Sequence, residues 1–195
     1  MSDDGTDGEY DIAGIELTGD RYEVRQSLIR NKYAVRDAAG DVVLRGKQKM
    51  FKLKEEFPFV DGEGNDVFTV KAGGMLDVAG NYAIRDTTGE EVVVLDEDYS
   101  LFAENWTVRD PDTGEALATI RSTSKLVEVL RHFVGAVGLV PYKYEILDAE
   151  GDHVGHISGQ FSLRDTYTVT IDDASDVPKE AVVAAAVVLD ALRGG

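Results

Sequence analysis

The run Ala181-Val-Val-Ala-Ala-Ala-Val-Val-Leu-Asp-Ala-Leu192 limits what this chain can become more than any other stretch. Asp190 is its only polar residue, so a helix formed here has no side to offer water and must be enclosed. Pro178 suits the first helical position, where its missing N–H would be unpaired in any case. Ser175 or Asp176 can cap the start, and Gly194-Gly195 can end it. A membrane span needs roughly 20 apolar residues, and this run is 12 residues long, so the enclosure is expected to be protein. On full burial each of Val182, Val183, Val187, Val188, Leu189 and Leu192 should contribute roughly 1.5–3 kcal/mol. Ala181, Ala184, Ala185 and Ala186 suit a tight sleeve.

The sleeve is written in a repeat. Tyr33-Ala-Val-Arg-Asp37-Ala-Ala-Gly40 is echoed by Tyr82-Ala-Ile-Arg-Asp86-Thr-Thr-Gly89, Trp106-Thr-Val-Arg-Asp110-Pro-Asp-Thr-Gly114 and Tyr144-Glu-Ile-Leu-Asp148-Ala-Glu-Gly151. Phe59-Val60-Asp61-Gly-Glu-Gly64 is a looser copy and Tyr167-Thr-Val-Thr-Ile-Asp172 a final half. The six aspartates fall 24 or 25 residues apart, with one gap of 38. Asp opening a turn and Gly closing it favour a type I turn between strands. Before each turn the pattern alternates, Tyr33 and Val35 to one side and Ala34 and Arg36 to the other. Five hairpins, with Arg21–Leu28 before them and Thr166–Asp172 after them, predict about twelve strands. A sheet that long tends to close on itself, which removes its edges. Around eight strands fill a barrel with side chains, so about twelve leave room for a helix 10–12 Å across. The predicted fold is a mainly β, closed antiparallel barrel around the buried helix. The long gap predicts one amphipathic helix at 124–138, with Leu126, Leu130, Phe133 and Val137 at helical spacing, plugging a barrel mouth. Residues 1–9 read as a disordered acidic tail and 10–195 as a single domain.

Taken together, these residues resemble the LURP-one-related family, relatives of the tubby C-terminal domain and the phospholipid scramblases. The likeness rests on Tyr22-Glu-Val-Arg-Gln-Ser-Leu28, Lys32-Tyr-Ala-Val-Arg-Asp37 through Gly46-Lys47, Gly159-Gln-Phe-Ser-Leu-Arg-Asp165 and Val182-Val-Ala-Ala-Ala-Val-Val-Leu-Asp190. It implies a twelve-stranded barrel threaded by a hydrophobic helix. It implies less about function: tubby domains bind phosphoinositide headgroups, scramblase-like proteins associate with membranes, and most LURP-one-related members have no established activity. The scramblase pattern is incomplete, since this chain lacks cysteine and a helix of membrane length.

The net charge of −17, from 37 acidic and 20 basic residues, favours solubility and repels nucleic acid. The acids are spread along most of the chain, as on a surface suited to a salt-rich cytoplasm of the halophilic archaeal kind. No basic leader opens the sequence, so the expected location is cytoplasmic, peripheral to the membrane if a lipid is bound. Against this background residues 21–54 hold ten of the twenty cations and only Glu23, Asp37 and Asp41 as acids. Strand alternation puts Arg45, Lys47 and Lys49 on one face, with Arg25, Arg30 and Lys32 in preceding strands and Lys52 and Lys54 just beyond. Converging cations suit a phosphate-bearing headgroup or another anion. The competing reading is an outward face balanced by neighbouring acids. A protein-interaction scaffold without a small ligand is the alternative function.

Catalytic and metal signatures are weak. Gly40 to Lys47 has the wrong spacing for a phosphate-binding loop. Asp61-Gly-Glu-Gly-Asn-Asp66 begins like a calcium loop, but Ala72 stands where the bidentate Glu belongs, so it reads as a hairpin turn. His153 and His156, three apart on a strand, should point to opposite faces. No cofactor, metal or catalytic set is expected, and Asp190 is assigned a structural role.

Overall fold

The computed structural model of the protein describes residues 12, 15–27, 32–47, 56–73, 81–100, 103–123, 143–160, 166–172 and 177–193. Twelve antiparallel strands close into one barrel. They are β1 (Arg21–Ser27), β2 (Lys32–Arg36), β3 (Val42–Lys47), β4 (Glu56–Asp61), β5 (Asp66–Ala72) and β6 (Asn81–Asp86). There follow β7 (Glu91–Ser100), β8 (Ala103–Arg109), β9 (Ala116–Ser122), β10 (Lys143–Asp148), β11 (His153–Gln160) and β12 (Thr166–Ile171). Each strand pairs with its chain neighbours, and β12 closes the circle on β1, with Val24 opposite Tyr167 and Arg21 opposite Thr170. The helix α1 (Lys179–Arg193) fills the interior.

The repeat does what its chemistry predicts. Gly40 N–H donates to Asp37 O at 3.1 Å while Asp37 N–H donates to Asp41 O at 3.0 Å. Gly40 sits at φ 91°, so the turn is a type I turn closed by a left-handed glycine. The turns at Asp61, Asp86 and Asp148 repeat this bonding, and that at Asp110 is one residue longer. What sequence reading lacked is the bulge each turn imposes. The ladder shifts register at Val35/Arg36, Phe59/Val60, Ile84/Arg85, Val108/Arg109 and Ile146/Leu147.

Inward residues form a continuous apolar lining: Tyr22 and Val24, Tyr33 and Val35, Ile84, Leu95, Trp106 and Val108, Ile146, Ile157 and Val169 are all buried. Gly46 belongs to this lining because a Cβ there would approach the Phe59 ring to 3.0 Å, and that ring stacks on Phe68 at 4.5 Å. Against the lining, every residue of α1 from Glu180 to Leu189 is buried. Nine successive buried apolar positions, Ala181 to Leu189, cover the whole circumference of a helix, so α1 is enclosed on all sides. Tyr167 Oη–H donates to Ala186 O at 2.9 Å, tying the wall to the rod.

Ahead of β1, residues 15–20 form a strap over the mouth where α1 begins. Leu17 is buried and its N–H donates to Glu180 Oε1 at 2.6 Å. An acidic side chain in the first turn also suits the positive end of a helix. Ile171 N–H donates to Asp20 O at 2.8 Å, and Tyr22 Oη–H to Gly19 O at 2.8 Å. Burial pushes the Tyr22 hydroxyl up to about 12, with the carboxylates of Glu180 and Asp20 adding to the shift. The expected acidic tail at 1–9 and amphipathic helix at 124–138 lie outside the described residues.

Candidate functional site

Each cation of the 21–54 segment is placed by the alternation of its strand. On β1, buried Tyr22 and Val24 turn Arg21, Glu23 and Arg25 outward. On β2, buried Tyr33 and Val35 turn Lys32, Ala34 and Arg36 outward. On β3, buried Leu44 and Gly46 leave Arg45 exposed. Register then brings the three strands together. Arg25 stands opposite Ala34, and Ala34 opposite Arg45, so two guanidinium groups flank one small residue. Lys32 stands opposite Ser27 on one side and Lys47 on the other.

Four of the eight predicted cations therefore share one outer face by strand position: Arg25, Lys32, Arg45 and Lys47. Arg30, Lys49, Lys52 and Lys54 lie outside the described residues, as does the side chain of Lys47. Arg21 and Arg36 also belong to this face, although the sequence reading did not single them out. The signal that finds them is simple parity with Arg25 and with Ala34. Asp190 lies within α1, but its side chain is outside the described residues.

The electrostatics of this face are uneven. Arg25 Nε–H donates to Glu23, the single carboxylate among the outward β1–β3 residues described. Arg36 Nη1–H donates to Gly40 O at 2.6 Å, and Arg45 Nη1–H to Gly62 O at 2.7 Å. A carbonyl takes a donor without neutralising the charge. Among the described residues Arg21 and Lys32 have no ion-pair partner. Among the described side chains, five cations (Arg21, Arg25, Lys32, Arg36 and Arg45) thus face outward against one carboxylate.

Other sites read from sequence take structural roles. Asp61 Oδ1 accepts from the N–H of Glu63, Gly64 and Asn65, and Oδ2 accepts from Asn65 Nδ2. These bonds, the Asn65 side chain first, hold its carboxyl below the usual range. The loop is a saturated turn. Asp86 is lowered in the same way, chiefly by the Thr88 hydroxyl at 2.7 Å. His153 and His156 are both exposed on the outer side, contrary to the expectation of opposite faces. The cause is the bulge at Val154: Ile146 pairs with Gly155 while Leu147 pairs with His153, which reverses the parity. Among the described residues no group of three or more His, Asp or Glu could hold a metal. A groove of about 460 Å³ runs over β4–β6, past Thr69, Lys71, Arg85 and Thr88. Its cations are already matched, Lys71 to Glu56 at 3.0 Å and Arg85 to Glu91 at 2.6 Å, and its lining holds no histidine or serine.

The family model described as LURP-one-related matches residues 42–190. The fold is similar to the crystal structure of a protein from Arabidopsis thaliana, with a TM-score of 0.55 at 11% identity over 89% of this chain and 91% of that one. A comparison with functionally curated proteins gives no match. No described helix is long and apolar enough to cross a membrane.

Proposed function

The chain belongs to the LURP-one-related family, and on that premise we propose that it is a non-enzymatic barrel whose β1–β3 outer face docks on anionic phospholipid membranes. The observation that carries this reading is the charge contrast: five outward cations against one carboxylate, in a chain of net charge −17. A cation near an anionic bilayer gains about 1 kcal/mol. Four uncompensated cations then supply roughly 4 kcal/mol, enough for reversible peripheral binding and far short of insertion. The packed interior supports the same reading: α1 occupies the space where another barrel would hold a ligand, leaving the outside as the working surface.

Sedimentation with phosphatidylglycerol-containing vesicles in low salt tests it. Wild type should pellet with the vesicles, and an Arg25→Glu/Lys32→Glu/Arg45→Glu variant should stay in the supernatant. Equal pelleting by the two would sink the reading. Failure of wild type to pellet, with specific capture of a protein partner, would favour the scaffold alternative.

A further inference from the structure

Closure of the barrel gives the basic face a neighbour that the sequence of residues 21–54 does not announce. β12 lies directly beside β1, and its outward residues Thr166, Thr168 and Thr170 stand opposite Arg25, Glu23 and Arg21. On β11, His156 and Ser158 stand opposite Thr170 and Thr168. One continuous row therefore runs Thr166, Arg25, Ala34, Arg45, and another runs Ser158, Thr168, Glu23, Arg36. On β11 and β12 the described outward side chains between His156 and Thr170 include no carboxylate. Thr168 is buried despite its outward position, at 5% exposure. The next strands onward differ at once, since Glu145 on β10 is paired to Arg121 on β9 at 2.6 Å.

We infer that the lipid-contact surface extends across β12 onto β11, where Thr166, Thr170 and Ser158 donate hydroxyl hydrogen bonds to headgroup phosphates held by Arg21 and Arg25. This rests on the membrane-docking reading above and adds a second kind of contact to it. The two kinds respond differently to salt. Coulombic attraction is screened over about 3 Å at 1 M salt. A hydroxyl bond to a phosphate oxygen acts within contact distance and escapes that screening. The hydroxyls also discriminate: a bare anionic surface satisfies the cations, but only an oxygen-rich headgroup satisfies both rows. A convex barrel touches a plane along a few adjacent strands, and β12, β1 and β2 are adjacent.

The test is vesicle sedimentation across a salt series with phosphatidylglycerol and phosphatidylcholine mixtures, comparing wild type with a Ser158→Ala/Thr166→Val/Thr170→Val variant. Valine keeps the branched shape that strands favour, so thermal stability serves as the check that the barrel is intact. At low salt the variant should bind about tenfold more weakly than wild type, because the hydrogen bonds are lost while the cations are untouched. At 1 M salt wild type should retain part of its binding, and the same gap of about tenfold should persist because the hydrogen bonds are not screened. Identical binding at every salt concentration overturns the inference while the basic face survives. Complete release of wild type by salt does the same. Absence of wild-type binding even at low salt overturns both.

Discussion

Two sides of one barrel use the same residue type in opposite ways. On β6–β10, arginines are matched to carboxylates: Arg85 to Glu91, Arg109 to Asp96 at 3.3 Å, and Arg121 to Glu145. On β1–β3 only Arg25 meets a carboxylate, that of Glu23; Arg36 and Arg45 hold the carbonyls of the turn glycines Gly40 and Gly62, and Arg21 is exposed. The repeat explains the shared starting point. An arginine just ahead of the turn aspartate can reach back to the turn, as Arg36 does to Gly40 O and Arg109 to Gly114 O. Only on the β6–β10 side does an acid on the neighbouring strand pair with it. An outer surface whose charge is locally cancelled belongs to the fold, and one whose charge is left standing is available to a partner.

The largest effect that can break this comparison is a matched neutralisation. Arg25→Gln/Arg45→Gln and Arg85→Gln/Arg121→Gln remove the same formal charge from opposite sides. The first pair should weaken vesicle binding by roughly thirtyfold, from about 1 kcal/mol per cation at tenfold per 1.4 kcal/mol. The second should leave binding within about twofold, since those cations already face acids and point elsewhere. Equal losses from both pairs would show that net charge alone governs binding and that the two faces are equivalent.

Much of the fold was legible because local rules agree with one another. The Asp-to-Gly turns, the period-two alternation and the all-apolar helix each point to a closed barrel, and their spacing gives the twelve strands. What escaped is what depends on distant registration. The bulge at Val154 turns His153 outward beside His156, and nothing in the residues His153 to His156 themselves signals it. The bond from Leu17 to Glu180 joins positions 163 residues apart. At the candidate site, alternation within β1, β2 and β3 placed the cations on a common side. It did not say which arginines of the barrel would find acids, because Glu91, Asp96 and Glu145 reach Arg85, Arg109 and Arg121 across strands. The meeting of β12 hydroxyls with β1 cations was hidden for the same reason, since barrel closure brings Thr166 to Arg25.

The inner side of β1 sharpens the contrast in another way, through pH. The Tyr22 hydroxyl is raised from 10 to about 12, first by burial. A group whose folded value lies above its unfolded one stabilises the fold fully below pH 10, and that contribution disappears as pH climbs through 12. Thermal melts should therefore fall steeply between those values. Tyr22→Phe should flatten part of that fall, leaving the slope from Tyr82, which burial also raises. At neutral pH it should cost about 1 kcal/mol for the lost bond to Gly19 O. Vesicle binding by the intact barrel should be unchanged, because Tyr22 points inward beneath Arg21 and Glu23. A binding defect in folded Tyr22→Phe would mean that the face and the core cannot be separated.

The smallest effects discriminate most finely, because they ask what a single acid does on each side. Glu91 is largely buried beside Arg85, with side-chain exposures of 10% and 34%. Glu91→Gln leaves a partly enclosed guanidinium short of its partner, so stability should drop by about 1 kcal/mol and binding should not move. Glu23 and Arg25 are both open to solvent, at 35% and 49%. Pairs of that kind contribute about 0–1 kcal/mol, so Glu23→Gln should leave the melting temperature nearly unchanged. Yet the same substitution removes the one carboxylate from the β1–β3 face and frees Arg25 for an outside anion. Binding to anionic vesicles should then tighten by about fivefold, near 1 kcal/mol for the added net charge. If Glu23→Gln instead destabilised the barrel as Glu91→Gln does, the acid on β1 would belong to the fold, and the two sides would differ in degree rather than in purpose.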